Sequence, residues 1–346
     1  MERGLFPLDR QLALKDKHWS EGVAQQAVRL SGLLPFEQAA EVLAELGQIA
    51  ISTGSVWQLS AKWGEQIKAQ EEARQEQAKA IPAVPRRGER VEGVAPRLGV
   101  AMDGVLIYIR GEEWKELKSG CVFEVEPRSV VDKQTGERME VGHAVRNSYV
   151  GYLGGPEVFG ERLWAEAQRR GWTAAADSEV IGDGAVWIWN LAGEHFYTSL
   201  QVVDWYHGVE HLARAAGLVH GEGTPGARRW LKKQETVLYQ GDAAKIAQSL
   251  TEIAQGKSES GAELLKEATY FEHNKRRMDY LEMRAAGWVI GSGMIESGGK
   301  QFKARFVGPG MRWSRSGAER LIPIRAEIMS HRFDQCWQSV YNSPPN

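Results

Sequence analysis

Three short segments of the sequence each place one carboxylate among glycines, beside an apolar run or at the start of a helix-like run. They are Met102-Asp103-Gly104, Ile181-Gly182-Asp183-Gly184 and Gly291-Ser292-Gly293-Met294-Ile295-Glu296-Ser297. Carboxylate oxygens suit Mg²⁺, and a few suffice because this ion keeps several waters. Two such ions can cleave a phosphodiester, since one lowers the pKa of the attacking water and the other stabilises the leaving 3′ oxygen. Asp103, Asp183 and Glu296 are therefore the candidate catalytic and metal-binding residues.

Each of these carboxylates, taken alone, also has an ordinary structural explanation. Asp103 is a polar residue in an apolar strand and fits a bulge, whereas Asp183 between two glycines fits a tight hairpin. Glu296 fits a helix N-terminus, with Ser292 predicted to cap a helix that starts near residue 294. Asp177 competes with Asp183 but precedes the apolar run rather than ending it. The order along the chain favours catalysis: a central strand, a later strand, then a helix after an insertion.

An Asp-x-x-His pair, Asp204 and His207, follows the second carboxylate. His207 could bind a phosphate or orient Asp183 from behind. A buried histidine with its hydrogen bonds satisfied in the core explains the pattern equally well. His211, one helical turn further on, shares the same predicted face and the same two explanations.

The elements that must position these residues alternate in type along the middle of the chain. Strands are predicted over 98–109, 121–125 and 149–153, a helix over 156–170, and two more strands over 179–189 and 195–203. This order is expected of a ribonuclease-H-like mixed sheet in an α/β protein. A helical stretch over about 226–286 then separates the sheet from the Glu296 segment.

The first part of the chain, residues 1–80, is predicted to be helical. One apolar helix face is formed by Ala39, Val42, Leu43 and Leu46, and the helix ends at Gly47. Ser52 and Thr53 are good caps for the next helix. The pair of helices has the pattern of a helix-turn-helix, which favours DNA binding only slightly over a helical hairpin without a ligand.

In the second of these helices, Val56, Leu59 and Trp63 share an apolar face, and Gln58 and Lys62 point outward, where they could contact DNA. Residues 81–96 contain three prolines and are predicted to form a linker. The catalytic core is expected to begin at 97–212, to be interrupted by the helical insertion 213–287, and to end with 288–346, whose helices carry a basic face.

The charge distribution points to nucleic acid at one place rather than over the whole surface. The net charge is −2, but residues 300–332 carry eight basic residues against two acidic ones. Because local charge decides contact with phosphates, this stretch is predicted to bind DNA. The residues expected to do so are Lys300, Lys303, Arg305, Arg312 and Arg315, together with Trp288 and Trp313, which could stack on an unpaired base. The shorter basic clusters at 228–233 and 275–277 are better explained as solvated helix faces.

The composition is that of an ordinary globular protein. The chain has 346 residues, of which 42% are hydrophobic and 25% charged. No apolar run is long enough to span a membrane, and the N-terminus has no secretion signal, so a cytoplasmic protein is expected, bound to the nucleoid when on DNA. Only Cys121 and Cys336 are present, so a disulfide framework or a cysteine zinc site is not expected.

With these motifs in view, the sequence resembles the bacterial insertion-sequence transposases of the ISKra type, within the Mutator-like supergroup. The matching stretches are Phe6-Pro7-Leu8-Asp9, Met102-Asp103-Gly104, 180–191, 203–212 and 291–300. The resemblance implies a ribonuclease-H-like catalytic domain with an all-helical insertion, and a metal-binding triad of Asp103, Asp183 and Glu296. Asp204 and His207 match the Cys/Asp-x-x-His signature of that supergroup. Relatives often carry a cysteine-rich zinc knuckle before the first of these stretches, and no cysteines stand there in this sequence.

The sequence therefore predicts a transposase that cleaves phosphodiesters at the ends of an element and joins the freed 3′-hydroxyl to a target. Two Mg²⁺ ions are expected as cofactors, with Mn²⁺ as a substitute. Double-stranded DNA is the expected partner, with a homodimer or larger assembly on the DNA and no membrane. The main alternative is a domesticated, transposase-derived DNA-binding protein without cleavage activity. A carbohydrate-active enzyme, suggested by the 13 tryptophans, is disfavoured because they are scattered.

Overall fold

The computed structural model describes residues 19–81, 96–131, 138–256 and 260–343. The segment Phe6-Pro7-Leu8-Asp9 and almost all of the predicted linker 81–96 lie outside the described residues. Within these ranges, no helix combines the length and the apolar character that crossing a membrane requires.

A mixed sheet of five strands lies at the centre of the fold. The strands are β1 (Arg97–Ile109), β2 (Glu113–Val131), β3 (Arg138–Tyr152), β4 (Ser178–Gly182) and β5 (Leu200–Val203). Their order in the sheet is β3-β2-β1-β4-β5. The first three strands are antiparallel neighbours, whereas β4 runs parallel to both β1 and β5. The predicted α/β class with a mixed sheet is therefore confirmed.

Helices precede, interrupt and follow the sheet. Before it come α1 (Glu21–Leu33), α2 (Phe36–Glu45) and α3 (Thr53–Lys79). Within it come α4 (Pro156–Arg169), between β3 and β4, and α5 (Val186–His195), between β4 and β5. After it come α6 (Trp205–His220), α7 (Pro225–Tyr239), α8 (Ala243–Gln255), α9 (Gly261–Asn274) and α10 (Tyr280–Ala285). The chain then continues through α11 (Gly293–Phe306), α12 (Arg315–Met329) and α13 (Phe333–Asn342). Short 3₁₀ turns lie at Trp172–Ala174 and Lys275–Arg277.

The prediction of a strand through residues 186–189 and from 195 to 199 was wrong. The alternation of tryptophans with aliphatic residues suggested a strand, but Val186–His195 is helix α5. Ile188, Leu191 and Ala192 are its buried residues, which is the three- and four-residue spacing of a helix. Trp187 packs edge-to-face on Phe159 of α4, with ring centroids 5.9 Å apart. Because β4 and β5 are parallel, the chain needs a crossover between them, and α5 supplies it.

The strands β2 and β3 are much longer than the predicted segments 121–125 and 149–153. Their ends extend past the core as a polar ribbon, in which cross-strand ion pairs replace apolar contacts. Arg146 of β3, for example, donates from Nε to Glu124 Oε2 of β2 over 2.7 Å. Apolar alternation marks only the part of a strand that the core covers, so these extensions carried no such signal.

The N-terminal helices begin largely as the sequence indicates. The Ser52 side chain accepts a hydrogen bond from the backbone N–H of Ser55 and so caps α3. Leu59 and Trp63 are buried as predicted, but Leu46 is 82% exposed, so its predicted place on the apolar face was wrong. The reason is that α2 ends at Glu45, and Leu46 follows the last helical turn.

These N-terminal helices share one hydrophobic core with the C-terminal helices. The Trp63 ring lies 4.8 Å from Trp337 and 5.2 Å from Tyr341, both in α13. Gly64 lies against α12 so closely that a Cβ there would stand 2.5 Å from the Arg320 carbonyl oxygen. The helix α3 therefore forms a wall of the same body that carries α11 and Glu296.

Alternate residues of β1 face the two layers of helices. Val100 and Met102 belong to the core beneath α4 and α5. Ala101 and Val105 belong to the larger core, against which α11 packs. Asp103 follows this alternation and lies on the α11 side, next to the helix that bears Glu296.

Candidate active site

Asp103 and Asp183 lie at the same place in the sheet, on neighbouring parallel strands. The last register pair of β1 with β4 is Ala101 with Ile181. Asp103 comes two residues after Ala101, and Asp183 comes two residues after Ile181. Neighbouring strands are about 4.8 Å apart. The backbone register alone therefore brings the two carboxylates side by side.

Asp103 is half-buried within β1, and its Oδ1 accepts a hydrogen bond from the N–H of Gly104 over 2.7 Å. Burial raises the pKa of Asp103, and the negative charge of Asp183 raises it further. The N–H of Gly104 and the positive charges of His207 and Lys303 lower this pKa. The two aspartates, His207 and Lys303 thus share one electrostatic environment.

Asp183 stands in the turn between β4 and α5. Its Oδ1 accepts a hydrogen bond from the N–H of Ala185 over 2.8 Å. Gly184 follows with a φ of +104°, a backbone conformation that residues with a side chain rarely adopt. The turn is therefore not a hairpin but the start of the crossover helix, with the carboxylate fixed at the end of the strand.

Asp204 follows β5 and is fully buried at the start of α6. Its backbone N–H donates to the Gly182 carbonyl over 2.8 Å, and its Oδ1 accepts from the N–H of Tyr206 over 2.9 Å. Oδ2 lies 3.0 Å from Nδ1 of His207. This hydrogen bond is the main reason why the pKa of His207 is raised to about 9, and the charges of Asp204 and Asp183 add to it.

Ser292 joins Asp204 to the Glu296 segment. The predicted cap was wrong in its detail: Ser292 occupies the position before α11, but its hydroxyl makes no cap hydrogen bond. Instead it donates to Oδ2 of Asp204, and its Oγ lies 3.5 Å from Oε1 of Glu296. A buried carboxylate such as that of Asp204 needs hydrogen-bond donors, and the Ser292 hydroxyl is one of them.

Glu296 lies in the first turn of α11, with its side chain 37% exposed and Oε2 at 3.8 Å from Nζ of Lys300. Two glycines let this helix approach the sheet. A Cβ at Gly298 would stand 2.6 Å from the Tyr149 ring, and one at Gly299 would stand 3.3 Å from Val105 and 3.7 Å from Oδ2 of Asp103. The Gly-Gly pair after Glu296 therefore brings its helix against Asp103.

The helical insertion supports the site from one side through Tyr270, which the sequence did not single out. The Tyr270 hydroxyl donates to the carbonyl oxygen of Asp183 over 2.8 Å, and its ring lies against Gly184. His211 stacks on the Tyr270 ring at 3.4 Å between centroids, and its Nδ1 lies 2.5 Å from Oε2 of Glu267. His211 therefore faces the insertion rather than the carboxylates.

The residues predicted to contact DNA fall into different environments. Lys300 and Lys303 are exposed and follow Glu296 at the four- and seven-residue spacing of one helix face. Arg312 is also exposed, with its guanidinium 5.7 Å from the Tyr108 ring. Arg315 instead forms a two-pronged ion pair with Glu112, at 2.7 and 2.5 Å.

The prediction that Arg305 contacts DNA is contradicted by its burial, because the residue is only 1% exposed. Its Nε donates to the carbonyl oxygen of Ser31 over 2.6 Å. Elsewhere in the basic stretch, Arg320 pairs with Glu65 and Arg332 with Glu166. Much of the positive charge counted in residues 300–332 is therefore used in internal ion pairs.

The two predicted stacking tryptophans are both half-buried. Trp288 lies beneath Arg97, whose guanidinium is 4.7 Å from the ring. Trp313 donates from Nε1 to the carbonyl oxygen of Phe306 over 3.0 Å and packs between Phe36 and Phe306. Their stacking on a base stays a prediction.

The carboxylates can be compared with what a magnesium ion needs. Their oxygens are suitable ligands, and the mutual repulsion of Asp103 and Asp183 is what a bound cation would relieve. In the described part of the chain, however, no three His, Cys, Asp or Glu side chains come close enough to hold one ion. Asp103, Asp183 and Glu296 thus fit a metal by chemistry, with Glu296 directed to Ser292 and Lys300 rather than to the aspartates.

No known family model matches this chain, and no curated protein sequence matches it either.

Proposed function

We propose that this chain is a DNA transposase of the Asp-Asp-Glu class with a ribonuclease-H-like core. The observation that carries the proposal is the parallel register of β1 and β4, which sets Asp103 beside Asp183. The strand order β3-β2-β1-β4-β5 supports the same class of core. Glu296 lies on a helix that packs against Asp103 and follows a helical insertion, in the order that the resemblance implies.

In this proposal, Asp103, Asp183 and Glu296 hold two Mg²⁺ ions, for which Mn²⁺ substitutes. When bound, these ions supply an activated water and stabilise the leaving 3′ oxygen of the cleaved strand. Asp204 keeps His207 protonated at neutral pH, so that His207 offers a positive charge to a phosphate near Asp183. Ser292 holds the Glu296 segment next to this pair.

The DNA approaches along α11, where the exposed Lys300 and Lys303 continue the face of Glu296. In the same proposal, α2 and α3 act as a helix-turn-helix, with the exposed Gln58 and Lys62 directed outward. The protein works in the bacterial cytoplasm, on the nucleoid, and at least two copies act together because two DNA ends must be joined.

The test is cleavage and strand transfer in Mg²⁺ on DNA that contains the sequences flanking this gene. The wild type is compared with Asp183→Asn and Glu296→Gln. Asp177→Asn is the matched control, because Asp177 lies just before β4 with its side chain 62% exposed and only a 3.9 Å contact to Arg97.

The proposal expects nicks at discrete positions for the wild type and for Asp177→Asn, and none for the other two variants. Binding of the flanking DNA without any cleavage by the wild type would replace the proposal with a transposase-derived DNA-binding protein. Cleavage that survives in Asp183→Asn and Glu296→Gln would remove these residues from the catalytic site.

A further inference from the structure

A cavity of about 390 Å³ opens between the N-terminal helices and the start of α12, away from the carboxylates. This volume lies within the range of roughly 300–1,000 Å³ that is usual for small-molecule sites. Aromatic residues form part of its wall: Phe36, Trp57 and Trp313. Trp57 is 51% exposed, so a flat ring could be placed against it without displacing other side chains.

The cavity is also strongly cationic. Of the described residues that line it, none is acidic, and four are arginines: Arg110, Arg305, Arg312 and Arg320. Arg320 is engaged with Glu65, whereas Arg110 and Arg312 are exposed at the rim. The N-terminal end of α12 also faces the cavity through Ser316 and adds a partial positive charge.

Arg305 places a buried positive charge in the wall of the cavity. It lines the cavity, it is 1% exposed, and its Nη2 has no hydrogen-bond partner. The rings of Phe36 and Trp313 lie 5.2 and 4.9 Å from its guanidinium and do not supply an acceptor for Nη2. Burial and the neighbouring Arg325 lower the pKa of Arg305 to about 10, so the group is still charged at neutral pH. Its Nη2 is closed to solvent, so Arg305 attracts an anion in the cavity through its charge rather than through a direct hydrogen bond.

We propose that this cavity binds a single unpaired nucleotide, with the base on Trp57 and the phosphate toward the exposed arginines Arg110 and Arg312. Aromatic rings stack on any base, and arginines bind phosphate with paired donors, so the combination selects a nucleotide over an inorganic anion or a purely apolar molecule. The proposal extends the proposed function, since it adds a second contact to the same DNA.

The position of the cavity gives the proposal a geometry. β1 connects the two sites: Asp103 lies within the strand, and Ile109 at its end pairs with Trp313 of the cavity wall. The six residue steps from Asp103 to Ile109 span about 20 Å at roughly 3.4 Å per residue.

The test measures binding without cleavage, in EDTA, by the fluorescence of 2-aminopurine. The full chain is titrated with three probes: a duplex with one unpaired, 5′-phosphorylated 2-aminopurine nucleotide at its end, the same duplex with a blunt end, and free 2-aminopurine deoxynucleotide. The variants are Trp57→Ala, Trp57→Phe and Arg312→Ala, with Arg276→Ala as the control for loss of an exposed arginine elsewhere. These side chains are partly or fully exposed, so the fold should persist, which thermal unfolding checks.

The proposal expects the unpaired base to be quenched on binding, and Trp57→Ala and Arg312→Ala to weaken the tailed duplex about tenfold. Trp57→Phe should restore most of the affinity, and the blunt duplex should bind equally to the wild type and to both Trp57 variants. Arg312→Ala should weaken the tailed duplex more than the blunt one. If the fluorescence of the free nucleotide alone is quenched, the cavity is a nucleotide site whose ligand is a free nucleotide rather than a DNA end. Equal binding of tailed and blunt duplexes by the wild type, or no effect of Trp57→Ala, would overturn it. Because binding is measured in EDTA and needs no cleavage, a failure of the cleavage experiment leaves this result readable.

Discussion

Asp103 and Asp183 lie side by side because each follows, by two residues, the last register pair of two parallel strands. Like charges held together by the backbone repel each other, and the repulsion contributes to the raised pKa of Asp103. The pair therefore makes the metal-free protein less stable than it would be with one charge removed. The first prediction depends on this relationship.

The first prediction concerns Asp103→Asn. Without Mg²⁺, the variant should unfold at the wild-type temperature or above it, because one of two repelling charges is gone. Mg²⁺ should raise the unfolding temperature of the wild type, since a ligand that binds only the folded state stabilises it. In the variant, Mg²⁺ should not raise the unfolding temperature. Its cleavage rate should be at least about 100-fold lower than that of the wild type. Thermal unfolding with and without Mg²⁺ measures the first effect, and an equal rise in both proteins would contradict it.

The second prediction concerns pH and His207. Its pKa of about 9 lies above the value of about 6.5 expected in the unfolded chain, so the pair with Asp204 stabilises the fold fully below about pH 6.5. This stabilisation is lost as the pH rises through about 9. Urea unfolding of the wild type and of His207→Gln should therefore show the largest difference in mildly acid solution and a smaller one above the raised pKa. A difference that does not change with pH would show that His207 does not titrate in this way.

The third prediction concerns Ser292→Ala, which removes the hydroxyl between Asp204 and Glu296. Glu296 keeps its place on α11 but loses a contact that holds its segment to the buried carboxylate. Cleavage should fall about 10- to 100-fold, as for other groups that orient metal ligands, while DNA affinity stays unchanged. Ser297→Ala, an exposed serine of the same helix, is the control and should be active.

The fourth prediction concerns Lys300 and Lys303. Replacing both with Ala should weaken binding to DNA of any sequence, because exposed lysines on a helix face contact phosphates rather than bases. The slope of log affinity against log salt should become smaller by about 2. Lys232 and Lys233, an exposed pair in α7, supply the matched double variant, which should keep the wild-type slope.

The fifth prediction concerns Tyr270→Phe, which removes the donor to the Asp183 carbonyl. The loss of one hydrogen bond should lower the free energy of unfolding by about 1 kcal/mol. Cleavage should fall as well, because the turn that carries Asp183 loses its support from the insertion. Tyr197→Phe, at a residue 48% exposed, serves for comparison in urea unfolding. Full activity in Tyr270→Phe would limit the insertion to a role in stability.

The sequence indicated much of the sheet but not the connection between β4 and β5. Strand signals were readable wherever the core covers a strand, so β1 and the covered parts of β2 and β3 were located. The helix α5 was mistaken for strand because its tryptophans alternate with aliphatic residues over a stretch too short to distinguish the two periods. The two predicted strands 179–189 and 195–203 were separated by too few residues for a crossover, so they could only have been antiparallel. The parallel pair β4 and β5 requires a crossover, which α5 provides.

The site was predicted in its residue types but not in its hydrogen bonds. The glycines beside Asp183 and before Glu296 were visible as markers in the sequence, and Asp204 and His207 were visible by their spacing. The packing role of the two glycines after Glu296 was not visible. Tyr270 gave no signal, because nothing in a helical insertion indicates which residue reaches back to the sheet. Arg305 was misjudged because charge is counted along the sequence, whereas burial depends on which helix face the fold covers.

The helix α11 has one further consequence, for the order in which the protein is made. The strand residues Asp103 and Asp183 leave the ribosome long before Glu296, which waits for the whole helical insertion to be synthesised. The helix that carries Glu296 belongs to a core that also needs α1, α3 and α13, so the first and last parts of the chain must meet before the third carboxylate is held. In the proposed function, an unfinished chain therefore cannot cut the DNA from which it is being expressed.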